Sequence, residues 1–311
     1  MYKKKIDILM ATYNGGRFIE NQLLSLQQQT YKNWNLLIHD DGSTDDTIDI
    51  IERYEKIDPR IRLIRDGVTG LGAGNNFLSL LAHVTSRYAI FCDQDDIWLE
   101  NKVDELVGAA EQRDLDLNVK PAIIYSDGYP FSSSTGNISF ENIAKDHASH
   151  LKDFLFFNGG YQGCSIIFNK PMIDFLKEYK GYVYLHDDII SLVAHSLGDV
   201  YFLPKKLMLY RQHVAAVTGE KDFKRNLSTY IKSPVRYLIS TRHYKEKESF
   251  YENYNSVLDD EAKEKFKGYF DFCNEKNKIK QLILILKYDF TLAGSKIKLM
   301  AKTFLRNTFD S

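Results

Sequence analysis

The sequence is poor in the residues that staple or break small folds, with three cysteines and six prolines in 311 residues. Cys92, Cys164 and Cys273 are far apart, odd in number and form no C-x-x-C pair. That excludes a disulfide framework, a zinc knuckle and a redox motif, and fits a reducing cytosol. An excess of one charge is also missing. The formal net charge of −1 excludes a whole-surface positive field, so no nucleic-acid partner is expected. No apolar run approaches the roughly eighteen residues of a membrane span; the longest clean run near the C-terminus covers residues 282–286. Lys3, Lys4 and Lys5 precede an apolar stretch at 6–11 that is too short for a signal-peptide core and is interrupted by Asp7, so no export is expected. There is no G-x-x-x-x-G-K-[ST] phosphate cradle. Gly70-Leu71-Gly72-Ala73-Gly74 has the wrong spacing for a dinucleotide fingerprint and reads as a flexible loop leading to Asn75 and Asn76.

What the chain does have is alternation. Residues 6–11 read as a buried strand, and residues 17–29 follow with Ile19, Leu23 and Leu26 at helical spacing. Residues 34–40 give the next strand. Ser43, Thr44 and Asp45 offer capping side chains for a helix carrying Ile48, Ile51 and Tyr54, and residues 61–65 give a third strand. Helices are predicted at 75–84 and 102–112, strands at 88–92 and 122–125. This rhythm predicts an α/β fold with a mostly parallel sheet covered by helices on both faces. After a Ser-rich loop at 131–136 the alternation fades into candidate strands at 163–168, 200–203 and 206–213, with a helix at 187–197. Beyond Gly219 the pattern turns helical and Lys-rich, so a first domain over 1–219 and a helical extension over 220–311 are expected.

Ligands of open α/β sheets lie beyond the carboxyl ends of the strands. Three polar clusters fall at those ends: Thr12-Tyr13-Asn14, Asp40-Asp41-Gly42-Ser43-Thr44-Asp45 and Asp93-Gln94-Asp95-Asp96. Their convergence on one crevice is the central expectation. One acid of the last cluster can cap the helix that follows, but three carboxylates within four residues exceed what a cap needs and are costly without a cation. A hard divalent ion held by one or two carboxylates keeps positions open for phosphate oxygens, which points to a phosphorylated ligand. Tyr13 offers a face on which a base can stack, and the Asp41 carboxylate can accept the imide N–H of a uracil or thymine. Without a phosphate cradle, metal-assisted departure of a nucleoside diphosphate is the leading reaction.

Ala11-Thr12-Tyr13-Asn14, the Asp40–Asp45 segment and the Asp93–Asp96 segment resemble, in order, the signature segments of the family 2 glycosyltransferases of the GT-A fold. The resemblance covers roughly residues 5–215. Asp95-Asp96-Ile97-Trp98, Tyr161-Gln162-Gly163-Cys164, His186-Asp187 and Tyr210-Arg211-Gln212-His213 resemble the rhamnosyltransferase branch that builds bacterial surface polysaccharides. It implies that Ala11, Tyr13 and Asp41 line the base pocket and that Asp93 faces the ribose. Asp95 would hold Mg²⁺ or Mn²⁺ on the diphosphate, with His213 completing the shell. Asn76 and Arg211 join the donor-binding set, Arg211 as a donor to phosphate or as the partner of an acid. Gly74-Asn75-Asn76 departs from the family pattern, in which an arginine commonly stands between the small residue and the Asn.

An inverting transfer needs a carboxylate to take the acceptor hydroxyl proton. Asp187 and Asp188 are the candidates, one of them able to cap the apolar helix they open; alignment with the family's acid pair selects Asp187. No Gln-x-x-Arg-Trp signature of processive members is present, which implies one sugar per encounter. The resemblance implies a donor dTDP-β-L-rhamnose and a polyprenyl-diphosphate-linked saccharide acceptor, joined in an α linkage, α-1,3 being expected. A UDP-hexose donor, or a catalytically inactive nucleotide-sugar-binding regulator, is the alternative. Residues 276–309 carry eight Lys or Arg against one acid, Asp289. On one helix, Ile279, Ile283, Leu286, Phe290, Ile297 and Phe304 would share a face flanked by Lys280, Lys287 and Lys298, a pattern suited to an anionic membrane surface. The competing arrangement packs that stripe on the first domain. A cytoplasmic protein, peripheral at the inner face of the cell membrane, is expected.

Overall fold

The computed structural model describes residues 4–212 and 237–310. The first half alternates as the pattern predicts: β1 (Ile6–Thr12), α1 (Gly16–Gln27), β2 (Trp34–Asp40), α2 (Thr47–Ile57), β3 (Ile61–Leu63), α3 (Gly72–Ser79), β4 (Tyr88–Asp93), β5 (Ile97–Trp98), α4 (Lys102–Gln112) and β6 (Ala122–Ser132). Then come α5 (Leu151–Phe154), β7 (Ile166–Asn169), α6 (Lys170–Lys177), α7 (His186–Leu197) and β8 (Asp199–Gln212). After the undescribed stretch the chain continues as β9 (Tyr237–Ile239), α8 (Thr241–Tyr254), α9 (Asp260–Asn274), α10 (Lys278–Lys287), α11 (Lys296–Leu305) and β10 (Asn307–Phe309). The expected boundary at 219 lies outside the described residues.

Eight strands form one sheet in the order β3-β2-β1-β4-β7-β6-β8-β5. Strand β1 runs parallel to both β2 and β4, in a register that sets Thr12 beside Asp40 and Ala11 beside Asp93. Parallel pairing thus brings the three polar clusters to one edge. Side chains of β1 alternate between the faces, Ile6, Ile8 and Met10 packing with α1, α2 and α4, and Leu9 and Ala11 with α3 and α7. Asp7, the polar intruder in β1, is buried because its carboxylate accepts the backbone N–H groups of Thr85 and Ser86 at 2.7 and 2.8 Å.

Three local expectations change. Residues 163–165 form a 3-10 turn, and only residues 166–169 form a strand, antiparallel to β4 and β6. The two strands expected at 200–203 and 206–213 are one strand, β8, which absorbs Pro204 through register shifts against β6; the missing proline N–H reads as a break in sequence, whereas an irregular pairing tolerates it. The glycine-rich loop opens α3 at Gly72 rather than at 75. Both oxygens of Asp41 hold that start, accepting the N–H groups of Leu71 and Gly72 at 2.7 and 2.8 Å. A side chain at Gly74 would meet Val183 and the Tyr184 carbonyl within 3.0 Å, so glycine lets α3 press on the segment leading into α7.

The C-terminal elements join the same hydrophobic cluster as α3, α6 and α7, through Leu238, Phe250, Phe266, Phe272, Ile285, Phe290 and Leu299. Instead of one long helix, α10 and α11 are separated by a turn containing Asp289, Ala293 and Gly294, all at positive φ. Phe290, expected on the exposed stripe, is fully buried there. The rest of the stripe faces out: Ile279, Ile283, Leu286, Ile297 and Phe304 are 55–80% exposed.

Candidate active site

A cavity of about 690 Å³ opens at the carboxyl ends of β1, β2 and β4. Ala11, Tyr13, Asp41, Asn76, Asp93, Asp95, Asp187 and Arg211 are in its lining. His213 lies outside the described residues.

Polar side chains lock the three clusters together. Gln94 brackets Tyr13, accepting its backbone N–H at 3.1 Å and donating to its carbonyl at 3.0 Å. The Asp40 carboxylate accepts from Thr12 Oγ1 at 2.7 Å and from the Ser43 backbone N–H at 2.7 Å. Asn14, at φ 45°, accepts from the Thr44 N–H at 2.9 Å, and its own N–H donates to Ser43 Oγ at 2.8 Å. Tyr13 is left 57% exposed at the rim. Asn76 is buried at the floor, where Oδ1 meets His39 Nδ1 at 2.6 Å and Nδ2 reaches the Thr12 and His39 carbonyls. Its amide therefore ties β1 to β2 beneath the cavity.

The acidic cluster is desolvated. Burial first, and the Asp95 charge second, push the Asp93 carboxyl up to about 7. The same causes, with Asp93 added, raise Asp96 well above the carboxylate range. One Asp96 oxygen accepts the Arg211 backbone N–H at 2.9 Å, while the buried Oδ2 lacks a hydrogen-bond partner. Asp93, Asp96 and Cys164 bring ligand-type atoms within 4.8 Å of one another. Burial, then the Asp96 and Asp93 charges, hold the Cys164 thiol protonated, so the set offers a cation hard oxygens rather than a thiolate. Raised carboxyls and an orphaned oxygen beside Asp95 fit Mg²⁺ or Mn²⁺. Beneath them Lys102 is fully buried, donating to the Cys164 carbonyl at 2.7 Å with its ammonium 3.9 Å from the Trp98 ring centre. Trp98, 3% exposed, is thus a packing residue.

Arg211 is buried between Phe18 and Phe131, its guanidinium 5.0 and 4.8 Å from their ring centres. Nε donates to the Asp95 carbonyl and Nη1 to Ser133 Oγ at 3.3 Å. Arg211 thereby fixes the backbone of the acidic turn from the cavity wall.

The two acids that open α7 differ. Asp187 lines the cavity, and burial, then Asp188, Asp93 and Glu246, raise its carboxyl well above the ordinary range. Asp188 points into the protein, accepting the Gly160 N–H, with His243 Nε2 3.1 Å from its other oxygen. A Cβ at Gly160 would stand 1.9 Å from the Asp187 carbonyl, so only glycine lets this loop lie on the helix start. His186 stacks on Phe77 at 3.7 Å; burial lowers it to about 3 and keeps it neutral. Sequence patterns carried no sign that His243 and Glu246 of α8 back this helix, because that contact joins residues far apart in the chain. Lys102 and the Cys164 thiol were also missed. Their only signal was an unusual cation and thiol near the acidic turn and the Tyr161–Cys164 segment.

Residues 7–173 match the family profile described as Glycosyl transferase family 2. The chain belongs to that family. Among its relatives, dTDP-rhamnosyl transferase RfbG of Shigella flexneri is 30% identical over 219 residues, 66% of this chain and 71% of that protein. The GalNAc(5)-diNAcBac-PP-undecaprenol beta-1,3-glucosyltransferase of Campylobacter jejuni is 22% identical, across 78% of this chain and 85% of that protein. The solved S. aureus TarS 1-349 in complex with UDP-GlcNAc matches with a TM-score of 0.56 at 15% identity, covering 90% of this chain and 83% of that one. The glycosyltransferase thus has a GT-A-like α/β fold with a helical C-terminal region.

Proposed function

We propose that the protein is a divalent-cation-dependent, inverting glycosyltransferase that moves L-rhamnose from dTDP-β-L-rhamnose to a lipid-linked saccharide. The observation that carries this reading is the single cavity collecting Tyr13, Asp41, Asp95, Asp187 and Arg211 at the ends of β1, β2 and β4. Tyr13 at the rim stacks the base. Asp41 keeps lone pairs for the base imide while its oxygens hold the start of α3. Asp95, joined by Asp93 rather than leaving it to the ribose, would hold the Mg²⁺ or Mn²⁺, which would supply positive charge beside the diphosphate. Arg211 keeps the acidic turn in place. Asp187 takes the proton of the acceptor hydroxyl as that oxygen bonds to the anomeric carbon and the carbon–diphosphate bond breaks, inverting β to α. Desolvation of Asp187 supports this role, since a carboxylate with raised pKa is a stronger base.

The resemblance to RfbG supports dTDP-rhamnose. The likeness to the Campylobacter beta-1,3-glucosyltransferase supports a hexose donor, carried on UDP, as the second reading, and its PP-undecaprenol substrate supports a polyprenyl-linked acceptor. Measuring nucleoside diphosphate release from dTDP-rhamnose and a series of UDP-sugars, with and without Mn²⁺ or Mg²⁺, decides the donor; no release from any of them in the presence of metal would leave the inactive regulator as the better reading.

No described helix is long and apolar enough to cross a membrane. In this reading the protein works as a peripheral enzyme on an anionic inner membrane face. Support comes from the outward stripe of α10 and α11, beside the exposed Lys280, Lys287 and Lys298.

A further inference from the structure

A second cavity of about 680 Å³ lies beside the first, and the two share Tyr210 in their walls. The loop carrying Gly159, Gly160, Tyr161 and Gln162 lines it. That loop rests against the start of α7 through the Gly160 N–H to Asp188 bond, which puts the wall of the second cavity next to Asp187. Lys302 near the end of α11 and Arg306 just after it also line the cavity.

Their charges are arranged unusually. Lys298 and Lys302 are spaced by four and share a face of α11, and Arg306 follows the helix end with an extended backbone. Lys298 pairs with Asp146 at 2.9 Å, and Lys145 of the cavity wall pairs with Glu141 at 2.6 Å. Among the described residues, Lys302 and Arg306 are in no ion pair. Among the described residues, the Arg306 guanidinium makes one hydrogen bond, a 3.5 Å contact from Nη1 to the Tyr237 carbonyl. Both side chains are half-buried. Burial, then the nearby Arg306 and Lys298, depress the Lys302 ammonium, and Asp146, already paired with Lys298, opposes them only in part. The other side of the same helix end presents Ile297, Phe304 and Leu305, which are 69–80% exposed. The last turn of α11 and the residue after it thus place two cations in the cavity lining and an apolar surface in solvent.

We propose that the second cavity binds the diphosphate of a polyprenyl-diphosphate-linked acceptor, with Lys302 and Arg306 as its anion ligands. The saccharide then extends past Tyr210 toward Asp187, and the prenyl chain leaves over Ile297, Phe304 and Leu305. This rests on the donor-site reading above for the direction of transfer, but the cavity's ligand can be tested separately. A bulk phospholipid headgroup offers related phosphate chemistry, so the test distinguishes the two sources.

The full chain is saturated with dTDP or UDP and Mn²⁺ to fill the first cavity, then titrated with farnesyl diphosphate by calorimetry. Sedimentation with phosphatidylglycerol vesicles is measured in parallel. Replacing Lys302→Gln and Arg306→Gln together is expected to weaken farnesyl diphosphate binding about tenfold or more, since each charge-assisted contact to phosphate is worth roughly 1.5–3 kcal/mol. Vesicle sedimentation and nucleotide affinity are expected to stay unchanged; the latter also reports that the variant is folded. Each single variant, expected to show part of the loss, serves if the double variant does not fold. Unchanged farnesyl diphosphate affinity overturns the proposal, as does a loss that vesicle sedimentation follows in step, because the cations would then be reading headgroups. Failure of the unaltered protein to bind nucleotide would count against the donor site alone, and the farnesyl diphosphate titration would still answer for the second cavity.

Discussion

Asp187→Asn separates catalysis from folding. The Asp187 side chain makes one described hydrogen bond, from the Asp188 N–H to Oδ1 at 3.0 Å, and an amide oxygen can accept it equally well. Its carboxyl is raised by burial, Asp188, Asp93 and Glu246. A carboxyl whose folded pKa is raised costs stability as pH climbs from the ordinary carboxylate range through the raised value. Removing that charge removes the cost, so the variant should be at least as stable as the unaltered protein at pH 8. Turnover should move the other way. Loss of a general base costs about 10²–10⁴-fold, or roughly 2.7–5.5 kcal/mol of barrier. Asp188→Asn provides the contrast, because both Asp188 oxygens are engaged, by the Gly160 N–H and by His243 Nε2, while an amide offers one acceptor, so it should lose about 1.5–3 kcal/mol of stability. Nucleoside diphosphate release gives turnover, urea unfolding at pH 8 gives stability, and nucleotide titration checks that the donor site is intact. Turnover of Asp187→Asn within about threefold of the unaltered protein would refute the base assignment, given the size of the effect expected. A stability loss matching that of Asp188→Asn would refute the burial argument.

With Asp93 raised to about 7, a cation must displace its proton below that pH, so Mn²⁺ affinity should fall by up to about tenfold per unit as pH drops below 7; calorimetry giving the same affinity at pH 6 and pH 8 would contradict this. Because Asp187 must be ionised to act, turnover should rise with pH along an acid limb displaced above the ordinary carboxylate range, and a limb near pH 4 would place the base elsewhere. Arg211→Lys cannot both fill the space between Phe18 and Phe131 and hold the Asp95 carbonyl, so about tenfold weaker Mn²⁺-nucleotide binding is expected, measured by calorimetry. Ile283→Glu with Phe304→Glu should abolish sedimentation with anionic vesicles and leave the melting temperature unchanged, since both side chains are exposed. Deleting residues 276–311 would be a poorer test, because it also removes the buried Ile285, Phe290 and Leu299.

The α/β alternation of the first half and the polar clusters at three strand ends were legible in the chain alone. Both are local: side-chain period reports which face of an element is buried, and a parallel sheet carries its loops to one edge. Patterns spanning a few residues also marked the basic, apolar-striped C-terminus. Tertiary structure decided the rest. It turned Asp187 into the cavity and Asp188 toward Gly160 and His243, although the two are adjacent in the chain. It drew Lys102 and Cys164 under the acidic turn, started α3 at Gly72 through Asp41, and turned Phe290 inward while leaving its stripe-mates in solvent. Each of these outcomes depends on desolvation and on partners tens of residues away. Sequence periodicity reports only whether a position faces in or out along its own element, and it carries no record of which distant group will meet the side chain there.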